Sequence, residues 1–384
     1  MKITLLEGGD VYAPEPVGRQ AVLLIGPTIA YVGAVDAVAL RGLPFDVEVV
    51  DVRGSVVVPG LIDPHSHLIG AGGEDGFVTR TPELLLSDIV GAGITTVVGC
   101  LGTDGVGRHL TALLGKVRAL EAEGITAYMY TGNYQVPPAT MTGSIIQDLF
   151  IVDKVIGVGE IAIADARSSQ PSVAELMRLV AEASVGGRLS GKAGVTHFHV
   201  GSSSQRLALL HRMLDEDTIP PASIYATHIN RSAALLDDAI ALAKRGAFVD
   251  IDTTEHDVAR WLGYYREHGG VLDQLTISTD ANTALAETNE RGMVKRAERT
   301  TERALYEQLV ACVHELRLPL EAVLPHFTAN SARVLKLHTK GRIEAGMDAD
   351  LLVLDKQTLA TRHVWARGRQ MVRDGQVIVT GLFE

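Results

Sequence analysis

Pro59-Gly60-Leu61-Ile62-Asp63-Pro64-His65-Ser66-His67 is the stretch whose reading decides the fold. The apolar run Ser55-Val56-Val57-Val58 leads into it, and the glycine-rich Ile69-Gly70-Ala71-Gly72-Gly73 leads out. Side chains alternate faces along a strand, so His65 and His67 point the same way at its carboxyl end. Two imidazoles on one side of a strand end grip a single metal ion with little rearrangement. Strands also end in polar residues for no chemical reason, so the pair takes its meaning from what the other strands supply.

Working outward, strand-like apolar runs recur at 56–62, 94–100, 125–131, 155–163, 194–200, 224–228, 247–251 and 275–278. Helical patterns lie between them at 82–90, 110–123, 173–184, 205–215, 233–245 and 257–267. Strands and helices in this alternation predict an α/β fold, a (β/α)8 TIM-type barrel. A doubly wound open sheet fits less well, because no glycine-rich dinucleotide turn follows the first strand. Short strands punctuated by Gly and Pro occupy 3–6, 21–25, 29–35 and 47–50, and the texture returns at 349–354, 363–366, 370–372 and 377–380. Either end alone would bury little, so a small β-sandwich formed by residues 1–58 with 341–384 is expected beside a barrel spanning 59–340. The polar stretch 284–300 reads as a long loop after the eighth strand, either a mobile lid or a surface insertion.

In a barrel all carboxyl strand ends face one mouth, where active sites are built. The polar side chains at those ends are His65, His67, Glu160, His199, His228 and Asp280. Imidazoles and carboxylates in these proportions suit two divalent ions, Zn²⁺ foremost. In Thr196-His197-Phe198-His199 both imidazoles share a strand face; His199, nearer the carboxyl end, is read as the ligand and His197 as a core or supporting residue.

Composition narrows the function further. The chain has 384 residues, 46% hydrophobic and 21% charged, as a soluble globular protein with a sizeable core requires. A formal charge of −11 without a Lys/Arg cluster argues against nucleic acid or an anionic membrane as partner. Cys100 and Cys312 are too few and too far apart for a disulfide framework, which points to a reducing cytoplasm. The opening Met1-Lys2-Ile3-Thr4-Leu5-Leu6-Glu7-Gly8 breaks too early for a signal peptide, and no run reaches the roughly 18 apolar residues of a membrane span. No Gly-x-Ser-x-Gly elbow is present, which sets aside a serine hydrolase of that type.

The order His-x-His, carboxylate, His, His, Asp resembles the amidohydrolase superfamily of metal-dependent hydrolases, as does the tail Lys340-Gly341-Arg342-Ile343-Glu344-Ala345-Gly346-Met347-Asp348-Ala349-Asp350. Within it, the chain is similar over nearly its whole length to the isoaspartyl (β-aspartyl) dipeptidases. That similarity rests on Gly73-Glu74, Thr79-Arg80-Thr81-Pro82-Glu83, Leu101-Gly102-Thr103-Asp104 and Thr131-Gly132-Asn133-Tyr134. It continues in Val155-Ile156-Gly157-Val158, Ala164-Asp165-Ala166-Arg167-Ser168 and Thr227-His228-Ile229-Asn230-Arg231. The resemblance implies hydrolysis of β-aspartyl dipeptides by a hydroxide bridging two metals. It gives Glu74 the substrate ammonium, Thr103 a carboxylate, Arg167 and Arg231 the carboxylate anchors, and Tyr134 the developing oxyanion. Asp280 would bind one metal and carry the proton from water to the leaving amine. It also implies a homo-oligomer.

Two positions depart from the family pattern. Glu160 stands where isoaspartyl dipeptidases carry a carbamylated lysine as the bridging ligand; other members of the superfamily use Glu there. Thr283 stands where a serine contacts substrate. A hydrolase of cyclic amides or N-acyl amino acids (dihydroorotase, hydantoinase or aminoacylase type) would keep the metals but have no use for Glu74, Arg167 and Arg231. A non-catalytic relative would have lost ligands that this chain retains.

Overall fold

The computed structural model describes residues 2–255, 257–291 and 293–384. Eight strands form one sheet in sequence order, each parallel to the next: β1 Leu61–Ser66, β2 Ile94–Gly99, β3 Thr126–Thr131, β4 Val155–Ile163, β5 Val195–Val200, β6 Ile224–Thr227, β7 Phe248–Asp252 and β8 Leu275–Ser278. The barrel closes just beyond β8. The Asp280 amide donates to the His65 carbonyl at 3.1 Å and the His67 amide donates to the Ala281 carbonyl at 3.0 Å. Apart from the half-buried Tyr128 the strands are buried on both faces, which explains long apolar runs such as Val155–Ile163; β7 and β8 instead alternate, with Asp250, Asp252, Thr276 and Ser278 at every second position.

The surrounding helices follow local rules. In Val173–Ser190 the Ser172 hydroxyl and the Glu175 carboxylate cap each other's backbone, and Leu176, Leu179, Val180 and Ala183 supply the buried stripe. Gly187 lets this helix ride against the chain entering β5: a methyl there would lie 2.5 Å from the Gly194 Cα.

The sequence reading treats 56–62 as one strand, and the structure corrects this. Ser55–Pro59 leaves the barrel and pairs antiparallel with Leu351–Asp355 and parallel with Asp10–Tyr12. The break falls at Gly60, whose amide donates to the Asp350 carbonyl at 2.9 Å and where a Cβ would sit 2.3 Å from the Thr95 hydroxyl. Residues from both ends thus share a seven-stranded sheet that runs from Gln376–Val377 to Pro16–Arg19, with a four-stranded sheet of Lys2–Glu7, Ala21–Ile25, Thr28–Gly33 and Asp46–Asp51 beside it. Leu6, Val11, Val22, Leu24, Val57, Leu351, Val353 and Trp365 form their common core. Among the described residues, no helix is long and apolar enough to cross a membrane.

The 284–300 stretch is an antiparallel hairpin, Ala284–Thr288 with Val294–Arg299. Its base is stitched by Thr300, whose hydroxyl donates to the Asp280 carbonyl at 3.0 Å and whose amide donates to the Thr283 carbonyl at 3.1 Å. Just beyond it, Glu302 opens the helix Arg303–Glu315 with a carboxyl that is only 1% exposed and has one oxygen without a partner. Burial, helped by the negative charge of Asp63 and Asp88, pushes this carboxyl up to about 8. The folded chain therefore keeps a proton that the unfolded chain releases near 4.5, and stability is lost as pH rises from there through about 8. Glu302→Gln is neutral at every pH. Thermal unfolding followed from pH 5 to 9 should show the variant gaining on the parent chain up to about pH 8 and the advantage levelling off above it.

Candidate active site

Barrel geometry brings the strand-end residues together. Glu160, on β4, is fully buried, and its two oxygens face different imidazole pairs. Oε2 is 3.3 Å from His65 Nε2 and 3.8 Å from His67 Nε2. Oε1 is 2.7 Å from His199 Nδ1 and 3.3 Å from His228 Nε2. Asp280 Oδ1 approaches the first pair from β8, 3.1 Å from His67 Nε2 and 3.4 Å from His65 Nε2. Burial alone would raise the Glu160 carboxyl, but His65 and His199 beside it pull it well below the usual carboxylate range.

The backbone aims these groups with effort. His228 and Asp280 both adopt left-handed conformations, at φ 63° and 46°, which non-glycine residues keep only where their surroundings hold them. Asp63 supplies part of that hold at Asp280, accepting from the Thr279 hydroxyl at 2.6 Å and its amide at 3.1 Å. Asn282 adds more, donating to the His67 carbonyl at 3.0 Å and to the Pro82 carbonyl at 2.7 Å.

The donor set fits divalent metal. Both ring nitrogens of His65 are buried without a hydrogen-bond partner, a costly state for an imidazole unless something else takes its lone pair. Donor atoms of Glu160, His199 and His228 lie within 4.8 Å of one another, as do those of His228, Asp252 and Asp280. His197 lies deeper. Its ring is 4.7 Å from that of His65 and is packed between Tyr130 and Tyr225, and burial lowers its proton affinity.

Above these groups a cavity of about 280 Å³ is lined by Glu74, Thr103, Tyr134, Arg167, Arg231 and Thr283, among others. Tyr134 is 2.8 Å from His199 Nδ1 through its hydroxyl, and burial raises that phenol well above its ordinary range, so it keeps its proton. Glu74 accepts from the Thr103 hydroxyl and from Arg167 Nη1 at 3.0 Å. Both arginines are already engaged: Arg167 forks onto Asp165 at 2.9 and 2.8 Å, and Arg231 reaches Glu255 at 3.0 Å and the Val200 carbonyl at 2.6 Å. Thr283 donates to Asp280 Oδ1 at 3.0 Å, so its hydroxyl touches the carboxylate as well as the cavity.

Residues 56–378 match the amidohydrolase family. The chain belongs to the amidohydrolase family. The β-aspartyl dipeptidase of Fervidobacterium islandicum AW-1, solved in complex with β-Asp-Leu dipeptide, is 40% identical, with a TM-score of 0.91 and 98% of each chain covered. A D-hydantoinase from Thermus sp. is 16% identical with a TM-score of 0.69, covering 98% of this chain and 97% of its own, which shows shared fold alone. An adenine deaminase of Geobacillus kaustophilus (strain HTA426) is 22% identical over 347 residues, 86% of this chain and 52% of the relative. The chain thus spans about half the length of the curated relatives it first matches.

Two carboxylates of this amidohydrolase site escaped the sequence reading. Asp165 holds Arg167 and lies 3.1 Å from His199 Nε2, and Asp252 lies 2.8 Å from His228 Nδ1. Asp252 ends β7, the same position in its strand that singled out the others, so a signal for it existed. A carboxylate on the far nitrogen of a ligating imidazole fixes its tautomer and raises its basicity. Asp252→Asn keeps the size and loses the charge. In chelator competition, Zn²⁺ affinity should then fall about 10- to 100-fold, whereas unchanged affinity would take His228 out of the metal centre.

Proposed function

We propose that the chain is a metal-dependent dipeptidase that hydrolyses β-aspartyl (isoaspartyl) dipeptides. The observation that carries this reading is the set of fixed charges around one small cavity: Glu74 paired with Arg167, and Arg231 beside them, with both guanidinium groups reaching His199 Nε2, at 3.0 and 3.4 Å. The 40% identity to a β-aspartyl dipeptidase supports it.

In this reading His65, His67, Glu160, His199, His228 and Asp280 hold two divalent ions, with Zn²⁺ best matched to the donors. When bound, such ions supply Lewis acidity toward water and the scissile carbonyl near neutral pH. Asp280 takes the proton that the attacking water loses and passes it to the leaving amine; its place beside His67 and Thr283 puts it at the cavity floor. Tyr134 donates its phenolic hydrogen to the oxygen that becomes negative in the tetrahedral state. Glu74 binds the substrate ammonium and Thr103 the isoaspartyl carboxylate, while Arg231, with Arg167, anchors the carboxylate of the leaving residue. Because Asp165 and Glu255 already fix the two guanidinium planes, little ordering is left to be done when substrate arrives.

Asp280→Asn should retain substantial metal, since the imidazoles and Glu160 remain, yet lose turnover by about 10²- to 10⁴-fold because the proton carrier is gone. Metal analysis and kcat on the same preparation check this. Near-normal kcat in a metal-replete variant would remove Asp280 from the proton path.

Substrate choice is tested with the β-linked and α-linked forms of Asp-Leu, which carry the same atoms and charge. Only the β-linked form presents the ammonium and the isoaspartyl carboxylate together on a branch away from the scissile bond. In the α-linked form one charged contact goes unmade, costing about 1.5–3 kcal/mol, roughly a ten- to hundredfold loss. The β-linked form should therefore give the higher kcat/KM, and Arg231→Ala should lower it strongly. Equal rates on both isomers, or activity confined to hydantoins or N-acyl amino acids, would overturn the substrate assignment.

A further inference from the structure

The chain's two cysteines, both buried and free, occupy very different surroundings. Cys312 lies on the inner face of Arg303–Glu315 within the apolar core. Cys100 directly follows β2, and its sulfur looks across at the metal-binding side chains. Sγ is 3.7 Å from His67 Nδ1 and 3.9 Å from Glu160 Oε2. We propose that Cys100 is a thiolate ligand of the ion held by His65 and His67. This rests on the reading of the site as a metal centre and adds a donor of a different chemical class to it.

The spacing of the donors carries the inference. His65, His67, Cys100 and Glu160 each offer one atom, all within 4.8 Å of one another and all buried. In a tetrahedral zinc site the Zn–S bond is about 2.3 Å and the Zn–N and Zn–O bonds about 2.0–2.2 Å. Those lengths place sulfur roughly 3.5 Å from the neighbouring nitrogen or oxygen donors, and nitrogen roughly 3.4 Å from oxygen. Here the sulfur is 3.9 Å from Glu160 Oε2 and 3.7 Å from His67 Nδ1, the ring nitrogen that would meet this ion while Nε2 faces Asp280, and His65 Nε2 lies 3.3 Å from Glu160 Oε2. A second, separate observation is His65, whose ring nitrogens are buried and unpartnered on the same side of the site. The backbone also pins the sulfur in place, because the Cys100 amide donates to the Ser66 carbonyl, between the two histidines, at 3.1 Å.

Binding converts the thiol to a thiolate. The S–H bond breaks, its electron pair forms the bond to the ion, and the proton leaves to solvent, so uptake of metal releases one proton from this residue with no change of oxidation state. A thiolate beside imidazoles biases the site toward zinc and softer ions over magnesium or manganese, which prefer oxygen.

X-ray absorption at the zinc edge tests this directly on the full chain loaded with Zn²⁺. The parent protein should show a sulfur scatterer at about 2.3 Å that is absent in Cys100→Ser. Loading with Co²⁺ instead should give an intense near-ultraviolet sulfur-to-metal absorption that the same variant lacks. Should the variant fold poorly, the parent spectra still decide, because Cys312 lies in the apolar core away from the metal-binding residues. Metal uptake with only nitrogen and oxygen scatterers would overturn the assignment of Cys100 and leave the metal centre standing. A parent chain that takes up no zinc would overturn the metal centre and this ligand with it.

Discussion

A carboxylate buried to 0% exposure at the centre of a barrel is the constraint on which the rest of the structure depends. Moving an isolated anion from water to such a place is prohibitive, so Glu160 is tolerable only with compensating partners on every side. They come from three other strand ends: His65 and His67 from β1, His199 from β5 and His228 following β6, while the second carboxylate, Asp280 following β8, faces the two β1 imidazoles from the other side. Two of these hold left-handed backbone conformations, and the hydrogen bonds around Asp63, Thr279 and Asn282 keep the Asp280 loop from relaxing. Replacing any one member leaves its neighbours as unpaired buried charge, which is why the cluster behaves as a unit rather than as a sum of contacts.

The rim follows a different logic. Arg167 is shared by Glu74 and Asp165, which leaves that trio one negative charge in excess, and Arg231 is matched by Glu255. A chain of net charge −11 thereby presents two guanidinium groups to the cavity with their planes already set by carboxylates. An incoming carboxylate meets donors in a fixed orientation, and an ammonium meets Glu74 in competition with Arg167. Charge recognition at such a mouth depends on exchanging partners within a network rather than on filling vacant contacts.

Much of this was legible in the sequence, and the residues show why. Strands buried on both faces read as unbroken apolar runs, so β2 to β5 stand out within a residue or two. Most of the proposed ligands were legible as polar residues at or just beyond the carboxyl end of such a run; Glu160 instead lies inside β4, three residues before its end, and was legible as the one charged residue in that run. The break at Gly60 was not: nothing in Val58-Pro59-Gly60-Leu61 announces that Ser55–Pro59 pairs in one sheet and Leu61–Ser66 in another. Asp252 carried the strand-end signal but stood in Val249-Asp250-Ile251-Asp252, where two carboxylates share a face and only packing separates their surroundings. Asp250 accepts from Thr227, Thr276 and Ser278 inside the barrel, and Asp252 accepts from His228 at its mouth. The hairpin at 284–300 was hidden for the opposite reason, since a two-stranded ribbon with mostly polar faces carries no burial pattern to read.

The closure of the barrel ties the first and last of these signals together. Asp63 and Thr279 are 216 positions apart, yet their hydrogen bonds fix the loop from which Asp280 reaches His65 and His67. The Asp280 amide donates to the carbonyl of His65 itself, so one main-chain bond sets both the closing register of the barrel and the distance between two proposed ligands. A slip of one residue at that seam would turn Asp280 away from the cluster while leaving every other strand pair intact. Contacts of such sequence separation form late and at high entropic cost. The half of the centre nearest β4 to β6 rests on pairing between strands adjacent in the chain, and the half built on His65, His67 and Asp280 rests on the seam.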